Sequence, residues 1–163
     1  MMGSFKQAAL FVLLASLLSQ PALARRKPHD EAVETKHLKS ALLNSEEGAT
    51  IVDTAFERRF RSAQDCSHFV HSVYDRAGYH FAYAPTSDLY AGIPEFHYVK
   101  HPQPGDLVVW RGHAGIVTDP EQHEFFSVLS TGLRMDFYDS RYWKHRGRPR
   151  FYRYRKPAAS FEE

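Results

Sequence analysis

The sequence predicts an α+β domain in which N-terminal helices pack on one antiparallel sheet of about five strands. In the first half of the chain, apolar residues recur at helical spacing, most clearly over residues 66–77. From residue 106 onward the pattern changes to short strand-like runs separated by turn residues. Helices followed by strands are typical of α+β architecture. The chain has 163 residues, 43% of them hydrophobic, which suits one domain with one core.

The first 24 residues match a secretory signal peptide. Lys6 precedes the 11-residue apolar run AALFVLLASLL, and Ala22-Leu23-Ala24 fits a cleavage site of small residues. The run is shorter than the roughly 20 residues that a membrane-spanning helix needs. We therefore expect cleavage after Ala24, no stable membrane insertion afterwards, and a secreted or periplasmic location. An uncleaved anchor is the alternative.

Two amphipathic segments come before the main helix. Residues 25–36 are a charged leader, and we expect the domain to span residues 37–157, with a tail at 158–163. Residues 31–44 and residues 45–62 both show apolar side chains near helical spacing. In the second segment these side chains are Ile51, Val52, Ala55, Phe56 and Phe60. Each segment therefore predicts a short helix.

The strongest predicted helix lies in the stretch SAQDCSHFVHSVYDRAGY, residues 62–79. One continuous apolar face is formed by Cys66, Phe69, Val70, Val73, Tyr74 and Ala77. Asp65 stands in the N-cap region and Gly78 fits the C-terminal stop. Cys66, the only cysteine of the chain, is therefore expected in the first turn and on the buried face.

Five strands are predicted after this helix. Residues 85–94 form a short helix or turn closed by Pro94, and Pro104-Gly105 is a strong turn. The strands are DLVVW, HAGIVT, EFFSVLS, LRMDFY and RPRFYRYR. Turn residues separate them closely enough for antiparallel neighbours.

Charge and histidine patterns exclude several classes of partner. The formal net charge is +2, and removal of Lys6 with the signal peptide leaves 20 basic against 19 acidic residues, so nucleic acid is not indicated. Seven basic residues between 141 and 155 make the C-terminal end basic, which suits loose attraction to wall polymers or a solvated strand face. The pairs His68/His71 and His97/His101 lack a third ligand at clear spacing, so we expect no metal and no cofactor.

An unpaired cysteine in an exported chain is a buried small hydrophobe, an intermolecular link or a reactive thiol. The first turn of a helix favours an anion, and a neighbouring imidazole can lower a thiol pKa. His113 in RGHAGIV opens a predicted strand beside the small pair Ala114-Gly115. If the buried helix face packs on this sheet, His113 would meet the helix N-terminus. Cys66 and His113 are therefore a candidate nucleophile and base for acyl transfer.

Three segments carry a resemblance to a known family. DCSHFVHSVYDRAGY, QPGDLVVWRGHAGIV and GLRMDFYDSRYW resemble the NlpC/P60 family of cell-wall cysteine peptidases, in order and spacing, over about residues 65–155. The resemblance implies a papain-like fold and hydrolysis of the γ-D-glutamyl–diamino acid amide bond in peptidoglycan stem peptides. It implies Cys66 as nucleophile, His113 as base, and the Cys66 N–H in the oxyanion hole. Asp65 and Ser67 would bind the free amine of the stem peptide, although Asp65 is equally suited to a helix cap.

The chain departs from the family pattern at three places. The third catalytic group, often a histidine, falls on Ser127, with His123 in the preceding turn as the other candidate and no third residue as the remaining alternative. The family's tyrosine and glycine-rich segment about a dozen residues before the cysteine is absent from TIVDTAFERRFRSAQ. His68 replaces the glycine that usually follows the Asp-Cys-Ser motif.

Three functions remain open on these grounds. The first is a monomeric exported cysteine peptidase that acts on peptidoglycan. The second is a related amidase or acyltransferase with another substrate, which the altered segment before Cys66 favours. The third is a catalytically weak wall-binding domain, which the weak third residue favours.

Overall fold

The computed structural model describes residues 42–57 and 65–157. The signal peptide, the leader, nearly all of the first amphipathic segment, residues 58–64 and the tail lie outside the described residues, so the predictions for them and the domain boundaries stay predictions. Within the described ranges, no helix is both long and apolar enough to cross a membrane.

The described residues form an α+β fold around one six-stranded antiparallel sheet, which confirms the predicted class. The strand order across the sheet is β1-β6-β2-β3-β4-β5. The helices are α1 (Ser45–Ala55), α2 (Cys66–Arg76), α3 (Thr86–Ala91) and α4 (Arg141–His145). The strands are β1 (Phe96–Val99), β2 (Leu107–Trp110), β3 (His113–Asp119), β4 (Glu124–Leu129), β5 (Gly132–Phe137) and β6 (Arg150–Tyr154).

The sheet has one strand more than the sequence predicts. The additional strand, β1, pairs with β6 at one edge of the sheet. It has four residues, and only Phe96 among them is fully buried. So short a strand with a single buried side chain lacks the alternation by which strands are recognised. Helix α4 was not predicted either, because it has five residues and only Trp143 among them is buried.

Helix α1 begins at a capping box. Asn44 is the N-cap, its side chain accepts from the backbone N–H of Glu47, and the Glu47 carboxylate accepts in return from the Asn44 N–H. Ile51 and Ala55 are fully buried. The helix predicted for residues 45–62 is confirmed as far as Ala55.

Helix α2 has the cap and the stop that the sequence predicts. The Asp65 side chain accepts from the N–H groups of Ser67 and His68. At the other end Gly78 adopts φ 89°, and Tyr79 N donates to Tyr74 O in a Schellman motif. The apolar face packs against β3 and β4 and contains four completely buried side chains, Phe69, Val70, Val73 and Tyr74.

The two faces of the sheet carry separate clusters, and this division positions the site. Val109 and Ala114 belong to the main core, on the face that α2 covers. Trp110 belongs to a second cluster with Trp143 of α4. Directly paired residues of antiparallel strands share a face, and Trp110 pairs with His113. His113 therefore lies on the α4 face, and its neighbour Ala114 lies on the α2 face.

Candidate active site

The Cys66 sulfur lies beside the first peptide bond of β3. Cys66 is the first residue of α2 and is half-buried. The backbone N–H groups of Ala114, Cys66 and Ser67 point at its sulfur and favour the thiolate. The Ala114 nitrogen belongs to the peptide bond that joins it to His113. The packing of α2 on β3 therefore brings the thiol to the position in the chain where His113 stands.

The thiol is not acidified in this structure. Burial is the largest effect on the Cys66 pKa and raises it, and the Asp65 carboxylate raises it further, which together outweigh the three N–H groups. The helix N-terminus acts to lower this pKa, as the sequence suggests, but burial outweighs it and the net shift is upward. Cys66 rests as a neutral thiol, and attack on a carbonyl requires a base that removes its proton.

His113 is a buried, neutral imidazole. The residue is 8% exposed, and the centroid of its ring lies 4.7 Å from the ring of Trp143 and 6.1 Å from that of Trp110. Burial lowers the pKa of His113 to about 4, helped by the Arg146 guanidinium and opposed by the Asp136 carboxylate. At neutral pH the ring is unprotonated, which is the state that a general base requires.

The two predicted catalytic groups meet at the start of β3 from opposite faces. In the described part of the chain, no hydrogen bond joins the Cys66 sulfur to the His113 ring. The sulfur lies at the His113–Ala114 peptide, whereas the ring packs toward α4. Catalytic hydrogen bonds are often long or poorly aligned in unliganded enzymes. If the two residues act as nucleophile and base, the imidazole has to move toward the sulfur before a proton can pass between them.

Ser127 does not orient the His113 ring in this structure. Ser127 is completely buried, and its hydroxyl donates to Ala114 O at 2.6 Å. His113 Nε2 is buried and, among the described residues, has no hydrogen-bond partner. Ser127 instead fixes the carbonyl of the residue whose N–H faces the Cys66 sulfur.

His123 is too far away to take that role. It precedes β4 at the turn that follows Asp119, whereas His113 opens β3 at the other end of the same hairpin. The seven residues of β3 separate the two ends by roughly 20 Å at about 3.3 Å per residue. The His123 ring lies against Asp139 instead, with Nδ1 3.5 Å from Oδ2.

An indole and a carboxylate hold the imidazole instead of a third histidine. Trp143 Nε1 donates to Asp136 Oδ2 at 2.8 Å, and the Trp143 ring packs on His113. Asp136 was not among the site residues predicted from the sequence. Its pairing with Phe125 places it on the His113 face of the sheet, but that register becomes known only from the structure.

The Asp65 carboxylate caps α2 and also faces solvent. Oδ1 accepts from Ser67 N, Ser67 Oγ and His68 N at 2.8 to 2.9 Å, and Oδ2 lies 2.6 Å from His68 Nδ1. Burial acts to raise the pKa of Asp65, but hydrogen bonds from His68 and Ser67 outweigh it and lower the pKa to about 2. The side chain is 48% exposed, so an ionised carboxylate remains accessible next to Cys66.

Tyr83 supplies an aromatic wall that the sequence analysis missed. Its hydroxyl lies 3.1 Å from Ser67 Oγ. Ionised Asp65 only accepts hydrogen bonds, so the Ser67 hydroxyl donates to Asp65 and the Tyr83 hydroxyl donates to Ser67. The Tyr83 ring stacks on His68 with centroids 4.3 Å apart. A tyrosine from the segment after α2 therefore stands beside Ser67, although no motif marks it in the sequence.

A cavity of about 340 Å³ opens beside His113. Its polar lining consists of His113, Ser130, Thr131, Asp136, Tyr142 and Arg146. The described residues contain no cluster of three or more His, Cys, Asp or Glu side chains that could hold a metal ion. The two histidines of α2 each contact a protein oxygen. His68 Nδ1 lies 2.6 Å from Asp65 Oδ2, and His71 Nε2 lies 3.0 Å from Phe81 O.

Comparison with known proteins agrees with this arrangement. The family model described as the NlpC/P60 family matches residues 55–148, more than half of the chain. The matched region contains α2, β1 to β5 and α4, with every candidate residue described above. The observed α+β fold is consistent with the papain-like fold of that family. No curated protein matches the chain.

Proposed function

Because the chain belongs to the NlpC/P60 family, whose members are generally cysteine peptidases and amidases, we propose that it is an exported cysteine peptidase. Its substrate is the γ-D-glutamyl–diamino acid amide bond of peptidoglycan stem peptides. The observation that supports this most is the approach of the Cys66 thiol to the first peptide of β3, where the neutral base His113 stands.

The residues support a two-step acyl transfer. His113 turns toward Cys66 and takes the thiol proton as the sulfur attacks the amide carbonyl. The N–H of Cys66 and the positive end of α2 stabilise the oxyanion. The imidazolium then returns the proton to the leaving amine, which leaves a thioester on Cys66. A water molecule, deprotonated by His113, hydrolyses the thioester and releases the acid.

The Asp65 region suits the free amine of the stem peptide. The exposed Asp65 carboxylate is ionised at all physiological pH values, and an ammonium group bonds well to such an acceptor. Tyr83 and His68 form a stacked wall beside it. The imidazole of His68 already bonds Asp65 Oδ2, and this observation favours the second candidate function, an amidase or acyltransferase for another amide.

Digestion of defined muropeptides tests the proposal. The protein is incubated with free stem tripeptide and tetrapeptide, with the same peptides attached to the disaccharide, and with unrelated amides, and the products are identified by mass spectrometry. We expect one cleavage, between D-glutamate and the diamino acid, which prior alkylation of Cys66 by iodoacetamide abolishes. Cleavage of the other amides alone would favour the second candidate function. Absence of any cleavage would favour a wall-binding domain.

The acid limb of the pH–activity profile, where kcat/KM falls as the pH is lowered, should report the depressed pKa of His113. Since this pKa is about 4, the ring stays neutral as the pH falls from 7 to 5, and kcat/KM should fall only as the pH approaches 4. Removing the Arg146 charge with Arg146→Gln should move the limb to higher pH, and Asp136→Asn should move it to lower pH. Circular dichroism at each pH separates these shifts from acid unfolding. Identical limbs in all three proteins would contradict the assignment of His113 as base.

Asp65→Asn should weaken binding of substrates that carry a free amine. Asparagine is as good an N-cap as aspartate, so α2 keeps its start while the charge is lost. We expect KM for the free tripeptide substrate to rise roughly tenfold, because a charge-assisted hydrogen bond to an ammonium group becomes a neutral one. The same substrate with its amine acetylated should show no change. Asp53→Asn, at an exposed position of α1, is the control.

A further inference from the structure

Four arginines form a continuous row from the His113 cavity to a second cavity. In spatial order the row is Arg146, Arg111, Arg150 and Arg148, and we call it the arginine track. Arg146 lines the His113 cavity, and its guanidinium donates to Arg111 O at 3.4 Å. The Arg111 guanidinium lies over the ring of Tyr90, 5.6 Å from the centroid. The track therefore begins at the candidate active site.

The second cavity has an aromatic and basic lining. It measures about 570 Å³ and is lined by Tyr90, Tyr98, Arg148, Arg150 and Tyr152, with Ala91 and Pro149. Arg150 lies 4.2 Å from the centroid of the Tyr90 ring. The Tyr98 side chain is 52% exposed, so its ring is open to a ligand. None of the described residues that line this cavity carries a carboxylate.

No ion pair neutralises the four arginines of the track within the described residues, although the Asp136 carboxylate lines the same cavity as Arg146. Arg150 donates to Tyr90 O and Arg146 to Tyr142 Oη, so neutral oxygens hold these two guanidinium groups in place. Like charges held together in this way repel one another unless an anion neutralises them. The arrangement is preorganised for a ligand with several negative charges.

The guanidinium group selects the chemistry of that ligand. Its planar array of N–H donors matches the two oxygens of a carboxylate or a phosphate. Exposed tyrosine rings beside the arginines provide flat apolar surface for sugar rings or peptide planes. A peptidoglycan strand combines both features, because stem peptides end in carboxylates and hang from sugars.

We propose that the arginine track binds the carboxylates of stem peptides that flank the peptide being cleaved, and so holds the wall polymer beside His113. This inference rests on the proposed function, which places a stem peptide at Cys66. A second carboxylate-bearing segment of the same polymer can then lie along Arg146 and Arg111 into the Tyr90 cavity. The track thus supplies the attachment to the wall within the domain itself.

A sedimentation assay with insoluble peptidoglycan measures this attachment. The protein carries Cys66→Ser so that the polymer stays intact. The track variant adds Arg111→Glu and Arg148→Glu, whose side chains are exposed. The matched control adds Arg76→Glu and Arg155→Glu, which reverse the same number of exposed charges at the last residue of α2 and just after β6. Thermal unfolding confirms that both variants fold.

We expect the apparent Kd of the track variant to rise about tenfold or more, and that of the control to change by less than about twofold. The salt dependence of binding should also become shallower in the track variant only, because fewer counterions are displaced. Soluble polyglutamate should compete, and peptidoglycan stripped of its stem peptides should bind weakly. Equal Kd values for the two variants would overturn the inference. So would unchanged binding to the stripped glycan, or competition by polyphosphate but not by polyglutamate.

The two proposals fail in different ways. If the protein with Cys66 hydrolyses muropeptides but the track variant binds peptidoglycan normally, the track has no role in binding and the peptidase proposal is supported. If peptidoglycan binding depends on the track while no amide is cleaved, the binding role of the track is supported and the peptidase proposal is wrong.

Discussion

Cys66→Ala should lower the rate of muropeptide hydrolysis by about 10⁴-fold or more, because no acyl-enzyme forms without the sulfur. Three N–H groups face the sulfur, and none of them can replace it as a nucleophile. The substitution removes one sulfur atom of a half-buried residue in the first turn of α2. We therefore expect the variant and the unmodified protein to unfold within a few degrees of each other. Product release is measured by chromatography of free tripeptide digests.

The controls separate chemistry from structure. Ser72→Ala changes an exposed position on the same helix and should leave the rate unchanged. His113→Gln should lower the rate nearly as far as Cys66→Ala, and the double variant should lose little more, since residues that act as a unit are not additive. Normal hydrolysis by Cys66→Ala would exclude a thiol mechanism.

The combination of a neutral thiol and a neutral imidazole has a physical origin. Burial raises the pKa of Cys66 and lowers that of His113, because the charged form of each loses solvation. Both shifts oppose a resting thiolate–imidazolium pair. The N–H groups of Ala114 and Ser67 favour the thiolate once it forms, so the charge develops during attack. A buried site of this kind holds the resting thiol in its protonated form.

The elements that carry the site were predictable because local signals agree with the tertiary fold. In α2 the cap Asp65, the apolar face and the stop Gly78 all occur in one stretch of sequence, and the structure contains each of them. The succession of β2 to β5 as sheet neighbours followed from alternation and turn residues in the same way, but β6 lies between β1 and β2 instead of beside β5, so the prediction of one continuous meander is wrong for this strand. By contrast, β1 has one buried residue, and its existence depends on pairing with the distant strand β6.

The details of the site depend on register and on distant contacts, which the sequence does not contain. Adjacent strand residues point to opposite faces, so the packing of Ala114 under α2 turns His113 away toward Trp143. The Ser127 hydroxyl donates to Ala114 O because the register between β3 and β4 brings the two residues together. Tyr83 reaches Ser67 from 16 residues away, through a segment without regular structure.

A close backbone contact joins α1 to the turn before β2, and it explains a buried glycine inside a helix. A Cβ added at Gly48 would overlap the carbonyl oxygen of Pro104, and one added at Gly105 would lie 2.6 Å from Gly48 Cα. The Gln103 amide fastens the same turn by donating to Asn44 O at 2.9 Å. Only glycine at position 48 lets the helix and the turn approach this closely.

Gly48→Ala should therefore destabilise the protein by about 3 kcal/mol, although the same change at an exposed helix position stabilises by about 0.5–1 kcal/mol. The reversal of sign arises because the new methyl group meets backbone atoms, which cannot move aside as a flexible side chain can. Urea unfolding followed by circular dichroism measures the effect. Ala49→Gly, at the exposed neighbouring position, is the control and should cost about 1 kcal/mol through helix propensity alone. If Gly48→Ala proved as stable as the unmodified protein, α1 would not be packed against the Pro104-Gly105 turn in solution.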